Sequence, residues 1–140
     1  MLRIWQKTEK QKLEPVGMGT AFPFLKEKNH VVSIIGGGGK TTLLYEMAGF
    51  CVKNDQKVLV TTSTHIYRPP KGGHDQSLEA VERKFRTGRA AIIGSACRDP
   101  EKLSMPETEL FEAARKKADL TLIEADGARH LPCLLYTSDA

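Results

Sequence analysis

Residues 31–42 constrain the fold of this chain more than any other stretch, and their sequence is V-V-S-I-I-G-G-G-G-K-T-T. The apolar run at 31–35 suits a strand that is buried on both faces. Because glycine has no Cβ, the run at 36–39 can turn sharply and direct backbone N–H groups inward as an anion-binding nest. A helix that begins at Lys40 would direct its positive end at the same point. The stretch therefore predicts a strand, a phosphate-binding loop and a helix, in that order.

The predicted loop gives Lys40 and Thr41 separate roles in binding a nucleotide. Lys40 would reach the β- and γ-phosphates, and the Thr41 hydroxyl would bind Mg²⁺. The spacing departs from the usual G-x-x-x-x-G-K-[ST], because Ile34 stands where the first glycine is expected. A flexible glycine turn before an ordinary helix is the alternative interpretation. The predicted phosphate-binding residues of the loop are Gly36, Gly37, Gly38, Gly39, Lys40, Thr41 and Thr42.

Composition limits the class of protein. With 140 residues, 40% hydrophobic and 27% charged, the chain can form one domain with a core. The net charge of +4 mildly favours an anionic ligand, but basic residues are scattered and aromatics make up only 6%, so we expect no nucleic-acid partner. No apolar run approaches the ~20 residues of a membrane span. Three cysteines without a C-x-x-C pair support neither a zinc nor a redox motif and favour a cytoplasmic location.

Strand and helix patterns alternate from residue 30 onward. We predict strands over 31–35, 57–62, 90–93 and 120–125, helices over 40–53, 78–86 and 106–117, and a long loop over 63–76. Ser77 would cap the second helix, Gly88 would follow its end, and Pro106 would occupy the first turn of the third. The predicted fold is α/β: a parallel sheet with flanking helices in three layers, like that of P-loop NTPases. Residues 1–29 would be an N-terminal extension, with a polar helix over 2–13 as one option, and 30–132 the nucleotide-binding domain.

A second constellation, L-T-L-I-E-A-D-G, occupies residues 120–127. An acid at the end of a buried strand suits a Walker B element, so Glu124 is a candidate Mg²⁺ ligand beside Thr41. Asp126 and Gly127 are either functional or a turn after the strand. The E-x-x-G spacing of Glu124 and Gly127 resembles that of metallochaperone nucleotidases, in which the glycine N–H senses the γ-phosphate. Lys40, Glu124 and Asp126 are the candidate catalytic residues.

Three blocks together resemble the YqeC proteins, a family of accessory proteins for selenium-dependent molybdenum hydroxylases. The blocks are I-I-G-G-G-G-K-T-T-L-L, K-V-L-V-T-T-S-T-H-I and L-I-E-A-D-G-A-R, which span about residues 31–130. The resemblance implies a protein that binds Mg²⁺ with ATP or GTP and takes part in maturing such a hydroxylase. Its partners would be that hydroxylase or the proteins that assemble its cofactor.

The resemblance also covers residues 61–65, whose side chains would end a strand beside the phosphates. Thr62 is a candidate nucleotide-binding residue, although Thr61 and Thr62 also suit a strand through their β propensity. His65 is either a base or metal ligand or a structural histidine. Arg129 stands at a family position that could contact phosphate, or it is a solvated surface residue.

The last eight residues, C-L-L-Y-T-S-D-A, depart from the family pattern and resemble translated sequencing adapter. We therefore expect 133–140 to be a non-family tail on a truncated chain, with the predicted domain incomplete at its C-terminus. Two other functions fit the same motifs. One is a small-molecule kinase with a phosphate loop, and the other is a nucleotide-gated binding or scaffold module with negligible turnover.

Overall fold

The computed structural model describes residues 3–7, 9, 12–27, 29–35, 39–69 and 73–125, together with the backbone of 133–138. The strands are β1 (Ile4–Lys7), β2 (Leu13–Val16), β3 (His30–Ile35), β4 (Val58–Thr62), β5 (His65–Tyr67), β6 (Ala91–Ile92), β7 (Ser95–Ala96), β8 (Lys102–Ser104), β9 (Leu120–Glu124) and β10 (Cys133–Ser138). The helices are α1 (Met18–Ala21), α2 (Lys40–Lys53), α3 (Leu78–Arg86) and α4 (Thr108–Lys117), with a 3-10 helix at Pro23–Lys26.

The main sheet has the strand order β10-β3-β9-β4-β6. Four of its strands, β3, β9, β4 and β6, run parallel, and β10 pairs antiparallel with β3 at the edge. The predicted parallel sheet is thus confirmed, with one antiparallel strand in addition. Glu124 lies in register with Ile34 on one side and Thr62 on the other, so the carboxyl ends of β3, β9 and β4 meet at one edge.

Helices cover both faces of this sheet, as predicted. Val58 and Val60 of β4 belong to a core that includes Leu44 and Met47 of α2. Leu59, between them in the strand, belongs to a second core that includes residues of α3 and α4. Because successive strand residues point to opposite faces, the two cores lie on opposite sides of the sheet. The chain therefore forms three layers, and β4 is buried along its whole length.

The predicted helix ends are largely confirmed. The Ala80 N–H donates to Ser77 Oγ at 3.2 Å, so Ser77 caps α3. Gly88, two residues after α3, has a φ of 68°, which glycine adopts without strain. Helix α4 begins two residues later than predicted, because Pro106 precedes the N-cap residue Glu107 rather than entering the first turn.

A three-stranded antiparallel sheet has the order β5-β8-β7, and its β5 strand lies within the region 63–76 that was predicted as a long loop. Ile66 of β5 and Leu103 of β8 pair directly, are 1% and 0% exposed, and join the core beneath α2. Strands of two or three residues are too short for a recognisable alternation, which is why the sequence did not reveal this sheet.

The N-terminal segment forms a β1–β2 hairpin in which Ile4 pairs with Val16 and Lys7 with Leu13. The optional polar helix over 2–13 was therefore wrong. Its apolar positions were too sparse to stabilise a helix, since an amphipathic helix needs an apolar stripe to bury. Leu25, in the 3-10 helix, is 1% exposed and packs in the main core, so this segment contacts the sheet domain. Within the described part of the chain, no helix combines the length and apolar character that crossing a membrane requires.

Candidate functional site

The start of α2 lies at the edge where β3, β9 and β4 end. Gly39 precedes the helix with a φ of 89°, and it has no side chain that could accept from the first N–H groups. The left-handed conformation explains why glycine stands at this position. Helix α2 has 14 residues, so its N-terminal partial positive charge is fully developed. Gly36, Gly37 and Gly38 lie outside the described residues, and their conformation stays a prediction.

Thr41 and Glu124, 83 positions apart in sequence, meet at this edge. The Thr41 hydroxyl donates to Glu124 Oε2 at 2.8 Å. Glu124 is only 7% exposed although it carries a carboxylate, whereas Thr41 is partly accessible. Two oxygen donors of the kind that hard cations prefer are thus brought together at the positive end of a helix.

Lys40 lies beside this pair. Its Nζ donates to the backbone carbonyl of Ala125 at 3.3 Å, the residue directly after Glu124. The ammonium group is therefore held over the end of β9 by a long hydrogen bond to a neutral acceptor. An anionic ligand would offer it a stronger, charge-assisted partner.

Opposing effects act on the Glu124 carboxyl. Burial raises its pKa, because the charged form loses hydration, while the Thr41 hydrogen bond and the charges of Lys40 and Lys102 lower the pKa and oppose this effect. The net pKa is raised, so the protein accommodates this carboxylate at a cost in stability. Such a cost is typical of residues retained for function rather than for folding.

Tyr45 and Lys102 are two residues near the acid that the sequence did not single out. Burial, and to a smaller extent the charge of Glu124, raise the pKa of Tyr45 far above its usual range. Tyr45 follows Thr41 by one helical turn, and its hydroxyl donates to the backbone carbonyl of Tyr67 at 2.7 Å. Neither residue belongs to a sequence motif. Lys102 reaches Tyr67, the residue that Tyr45 contacts, only because β8 pairs with β5.

The hydroxyls of Thr61 and Thr62 both donate hydrogen bonds to backbone carbonyls of neighbouring strand ends. Thr61 donates to the Ile93 carbonyl at 2.9 Å, and Thr62 donates to the Glu124 carbonyl at 2.9 Å. The Thr62 oxygen also accepts from the Thr64 N–H at 3.0 Å. Because a hydroxyl has one proton and that of Thr62 is committed, it has none left for a phosphate oxygen in this arrangement. A nucleotide contact from Thr62 stays a prediction.

The remaining predicted site residues divide into two groups. His65 lies on β5 with an exposed side chain, and Thr42 is exposed on the first turn of α2. Asp126, Gly127 and Arg129 lie outside the described residues. Among the residues that the structure describes, no group of three or more histidine, cysteine, aspartate or glutamate side chains could hold a metal ion. Of the side chains that the structure describes, Thr41 and Glu124 are the pair at this edge that could contribute oxygen ligands to a metal.

Two cavities differ in their relation to this edge. A cavity of about 470 Å³ lies between the N-terminal hairpin and the later turns of α2, with Trp5, Phe50 and Lys53 in its wall. A smaller cavity of about 120 Å³ adjoins the end of β4, between Ser63, Met105 and Phe111. The smaller cavity lies next to the strand that carries Glu124, because Ser63 in its wall donates its N–H to the Glu124 carbonyl at 3.0 Å.

Comparisons with known proteins support the family resemblance. The family model described as YqeC protein matches residues 32–138, well over half of the chain. The Uncharacterized protein YqeC of Escherichia coli (strain K12) is 26% identical over 117 residues, covering 73% of this chain and 42% of that protein. The chain thus spans less than half the length of this curated relative. No solved structure matches.

The matched range bears on two predictions. It includes all three sequence blocks that carried the resemblance, and the predicted family is confirmed. It also extends through most of 133–140, and the β10 backbone pairs with β3, so the origin of that segment stays a prediction. On the strength of the family match, this chain belongs to the YqeC family.

Proposed function

We propose that this protein binds a nucleoside triphosphate with Mg²⁺ at the edge formed by β3, β9 and α2, and hydrolyses it. The observation that carries the proposal is the 2.8 Å hydrogen bond between Thr41 and Glu124. It joins the hydroxyl that follows Lys40 to the acid that ends the neighbouring parallel strand. P-loop proteins hold Mg²⁺ with this combination of a loop hydroxyl and a strand-end carboxylate.

The donor set fits Mg²⁺ better than a soft or multiply ligated metal. Thr41 and Glu124 offer hard oxygen atoms, and one or two protein ligands are usual for Mg²⁺, which keeps several waters and binds phosphate. When bound, Mg²⁺ would neutralise charge on the β- and γ-phosphates. The buried Glu124 carboxylate also supplies the negative charge that a cation requires.

The chain's own groups have separable tasks in this proposal. The N–H groups at the start of α2 and the Lys40 ammonium bind phosphate oxygens. Lys40 exchanges its hydrogen bond to the Ala125 carbonyl for a charged acceptor, so little reorganisation is needed. Glu124 holds Thr41 in the rotamer that presents its oxygen to the site. Asp126 remains the proposed additional catalytic residue.

The biological context that we propose is an accessory role in maturing selenium-dependent molybdenum hydroxylases. This part of the proposal depends on the family resemblance alone, because no described residue cluster has the chemistry of a selenium or molybdenum site. The hydroxylase, or the proteins that assemble its cofactor, would be the partner. Nucleotide hydrolysis would then control when the cofactor is transferred, or when this protein binds that partner.

A small-molecule kinase is the second candidate, and the cavity of about 120 Å³ beside β4 favours it. Its wall includes the apolar residues Met105 and Phe111 and the hydroxyl-bearing residues Ser63 and Thr108, which suits a small acceptor with one apolar and one polar end. Such a kinase would transfer the γ-phosphoryl group to an acceptor hydroxyl rather than to water. Phosphate release that depends on an added acceptor would distinguish it from a hydrolase.

Nucleotide binding and phosphate release by the 140-residue chain test the proposal, with MgATP and MgGTP compared. We expect Lys40→Ala to weaken triphosphate binding by about 10- to 100-fold, since hydrogen bonds to charged groups contribute about 1.5–3 kcal/mol. Lys57→Ala is the matched control, because Lys57 is exposed at the opposite edge of the sheet, just before β4. Equal affinity of Lys40→Ala and the parent would refute the phosphate site. Tight binding without phosphate release would instead indicate a nucleotide-gated module.

A further inference from the structure

The larger of the two cavities has the size and lining of a small-molecule site. Its volume of about 470 Å³ falls within the range of about 300–1,000 Å³ that ligand pockets occupy. The β1–β2 hairpin, the start of α1 and the later turns of α2 form its wall. The apolar residues of this wall are Ile4, Trp5, Pro15, Val16, Met18 and Phe50. A mainly apolar wall with a few polar groups is typical of sites that bind small organic molecules.

The segment that follows the hairpin is anchored to α2 and to the loop after it. A Cβ added at Gly19 of α1 would lie 3.0 Å from Phe50 Cζ, so α1 packs closely on α2. Leu25, in the 3-10 helix, is buried in the core, and its carbonyl accepts a hydrogen bond from Gln56 Nε2 at 2.8 Å. The hairpin side of the cavity is therefore joined to the α2 side by packing and a buried hydrogen bond.

Gly49 keeps the α2 side of the cavity open. It lies inside the helix, where glycine is less favourable than alanine, and it lines the cavity about one turn from both Glu46 and Lys53. A Cβ added at Gly49 would have no heavy atom within 4 Å, and its φ is not positive. Neither close packing nor backbone conformation therefore requires glycine here. Its absent side chain leaves space in the cavity that a larger residue would fill.

The charged and aromatic groups of the wall favour an aromatic anion. Arg3 and Lys53 contribute two positive charges and Glu46 contributes one negative charge, which leaves an excess of one positive charge. All three side chains are exposed, so a ligand in the cavity can reach them. Trp5 is 54% exposed although its ring is large and apolar, and an aromatic ligand would pack against such a ring.

We propose that this cavity binds a small aromatic anion, with its rings against Trp5 and Phe50 and its charge near Arg3 and Lys53. The proposal is independent of the nucleotide site, because Gly49 follows Lys40 by nine residues on α2, which is about 13 Å along the helix axis. The hairpin also precedes residues 32–138, so the family match does not extend to that side of the cavity.

Titration of the 140-residue chain with 8-anilinonaphthalene-1-sulfonate, an aromatic anion that fluoresces when bound, tests the proposal. We expect saturable one-to-one binding, and weaker binding of 1-anilinonaphthalene, which lacks the sulfonate. Gly49→Leu should weaken sulfonate binding by about tenfold or more, because its side chain fills the cavity. Gly49→Ala is the matched control: it should lose less than about threefold in affinity and raise Tm by about 3–5 °C. Because Trp5 is the only tryptophan, its single indole N–H signal in nitrogen-15 spectra should shift as the probe binds.

Charge variants test the choice of an anion. Lys53→Gln should weaken binding of the sulfonate by about threefold and leave binding of the neutral analogue unchanged, since an exposed charge makes a modest contribution. Glu46→Gln should strengthen sulfonate binding, because it removes a like charge from the wall. Lys116→Gln makes the same charge change as Lys53→Gln on exposed α4, across the sheet, and should bind as the parent does.

Thermal melts without the probe separate lost folding from lost binding. Parent-like probe affinity of Gly49→Leu, or probe uptake that does not saturate, would overturn the proposal. Lys40→Ala should bind the probe as the parent does, and an equal loss of affinity in Lys40→Ala and Gly49→Leu would place the probe at the phosphate edge and overturn the separate site. A failure of nucleotide binding in the same chain would leave this proposal intact.

Discussion

Replacing Thr62 with valine removes a hydroxyl that joins β4 to β9 and leaves a side chain of almost the same shape. The parent hydroxyl donates to the Glu124 carbonyl at 2.9 Å and accepts from the Thr64 N–H at 3.0 Å. Thr62 is 1% exposed, so water cannot replace either partner at the same place. The Glu124 carbonyl keeps the Ser63 N–H at 3.0 Å, whereas the Thr64 N–H loses this acceptor.

These contacts determine the expected size of the effect. Each hydrogen bond contributes about 1 kcal/mol net, and a donor left without an acceptor costs about 1–3 kcal/mol. The retained Ser63 contact limits the loss on the carbonyl side, so we expect Thr62→Val to lower the free energy of unfolding by about 2 kcal/mol. For a domain of this size, that corresponds to a decrease in Tm of roughly 5–8 °C.

Thermal and urea unfolding followed by circular dichroism measure this loss, and calorimetry measures nucleotide affinity on the same samples. Thr61→Val is the matched control, because its hydroxyl makes one hydrogen bond, to the Ile93 carbonyl, and should cost about 1 kcal/mol. Nucleotide affinity of Thr62→Val should change less than about threefold, or 0.65 kcal/mol. An unchanged Tm together with a tenfold loss of affinity would refute the argument and show that the hydroxyl serves the phosphates.

Three further substitutions have expected outcomes. Burial raises the pKa of Glu124 above its ordinary value of 4.5, so the folded chain binds this proton more readily than the unfolded chain, and stability falls as pH rises beyond that value. Glu124→Gln should therefore raise Tm at neutral pH, flatten this pH dependence and abolish Mg²⁺-dependent phosphate release. Ser77→Ala removes the α3 cap and should cost about 1 kcal/mol in a urea melt. Gly94→Ala would place a Cβ 2.9 Å from Leu103 Cβ and should cost about 1–3 kcal/mol in the same assay.

Each of these expectations has an opposing result. A lower Tm for Glu124→Gln at neutral pH would show that the carboxylate stabilises the fold, contrary to the pKa argument. Ser77→Gly should lose only a few tenths of a kcal/mol, and an equal loss for alanine and glycine would argue against a capping role. A parent-like melt for Gly94→Ala would show that β8 can move away from the end of β6 at little cost.

Local patterns predicted the elements that form the site. A buried strand, a glycine run and a helix that begins at Lys40 follow from residue types within one short stretch, and the structure has β3 and α2 there. The acid at the end of β9 was recognisable for the same reason, because an apolar run bounded by a carboxylate is a local feature. The family was predicted from the order of three such blocks.

Pairing between distant segments decided the rest. The N-terminal hairpin and the β5-β8-β7 sheet were missed because strands of two to four residues have too little periodicity to reveal a partner. Thr62 illustrates the same limit, since its residue type suited both a phosphate contact and a strand, and only the position of the Glu124 carbonyl shows how its proton is used.

The sequence by itself determined that a strand, a helix beginning at Lys40, a capped helix and a strand-end acid are present, since each depends on residues within a few positions of one another. It also predicts that the glycines between the first strand and helix form a phosphate-binding loop. The tertiary structure alone decided that the Thr41 hydroxyl and Glu124 Oε2 lie 2.8 Å apart and that Thr62 donates to the Glu124 carbonyl. Hydrophobic periodicity specifies which face of an element is buried, but strand order and register specify which buried faces meet. The proposed Mg²⁺ and nucleotide site depends on such a contact, between Thr41 on α2 and Glu124 at the end of β9.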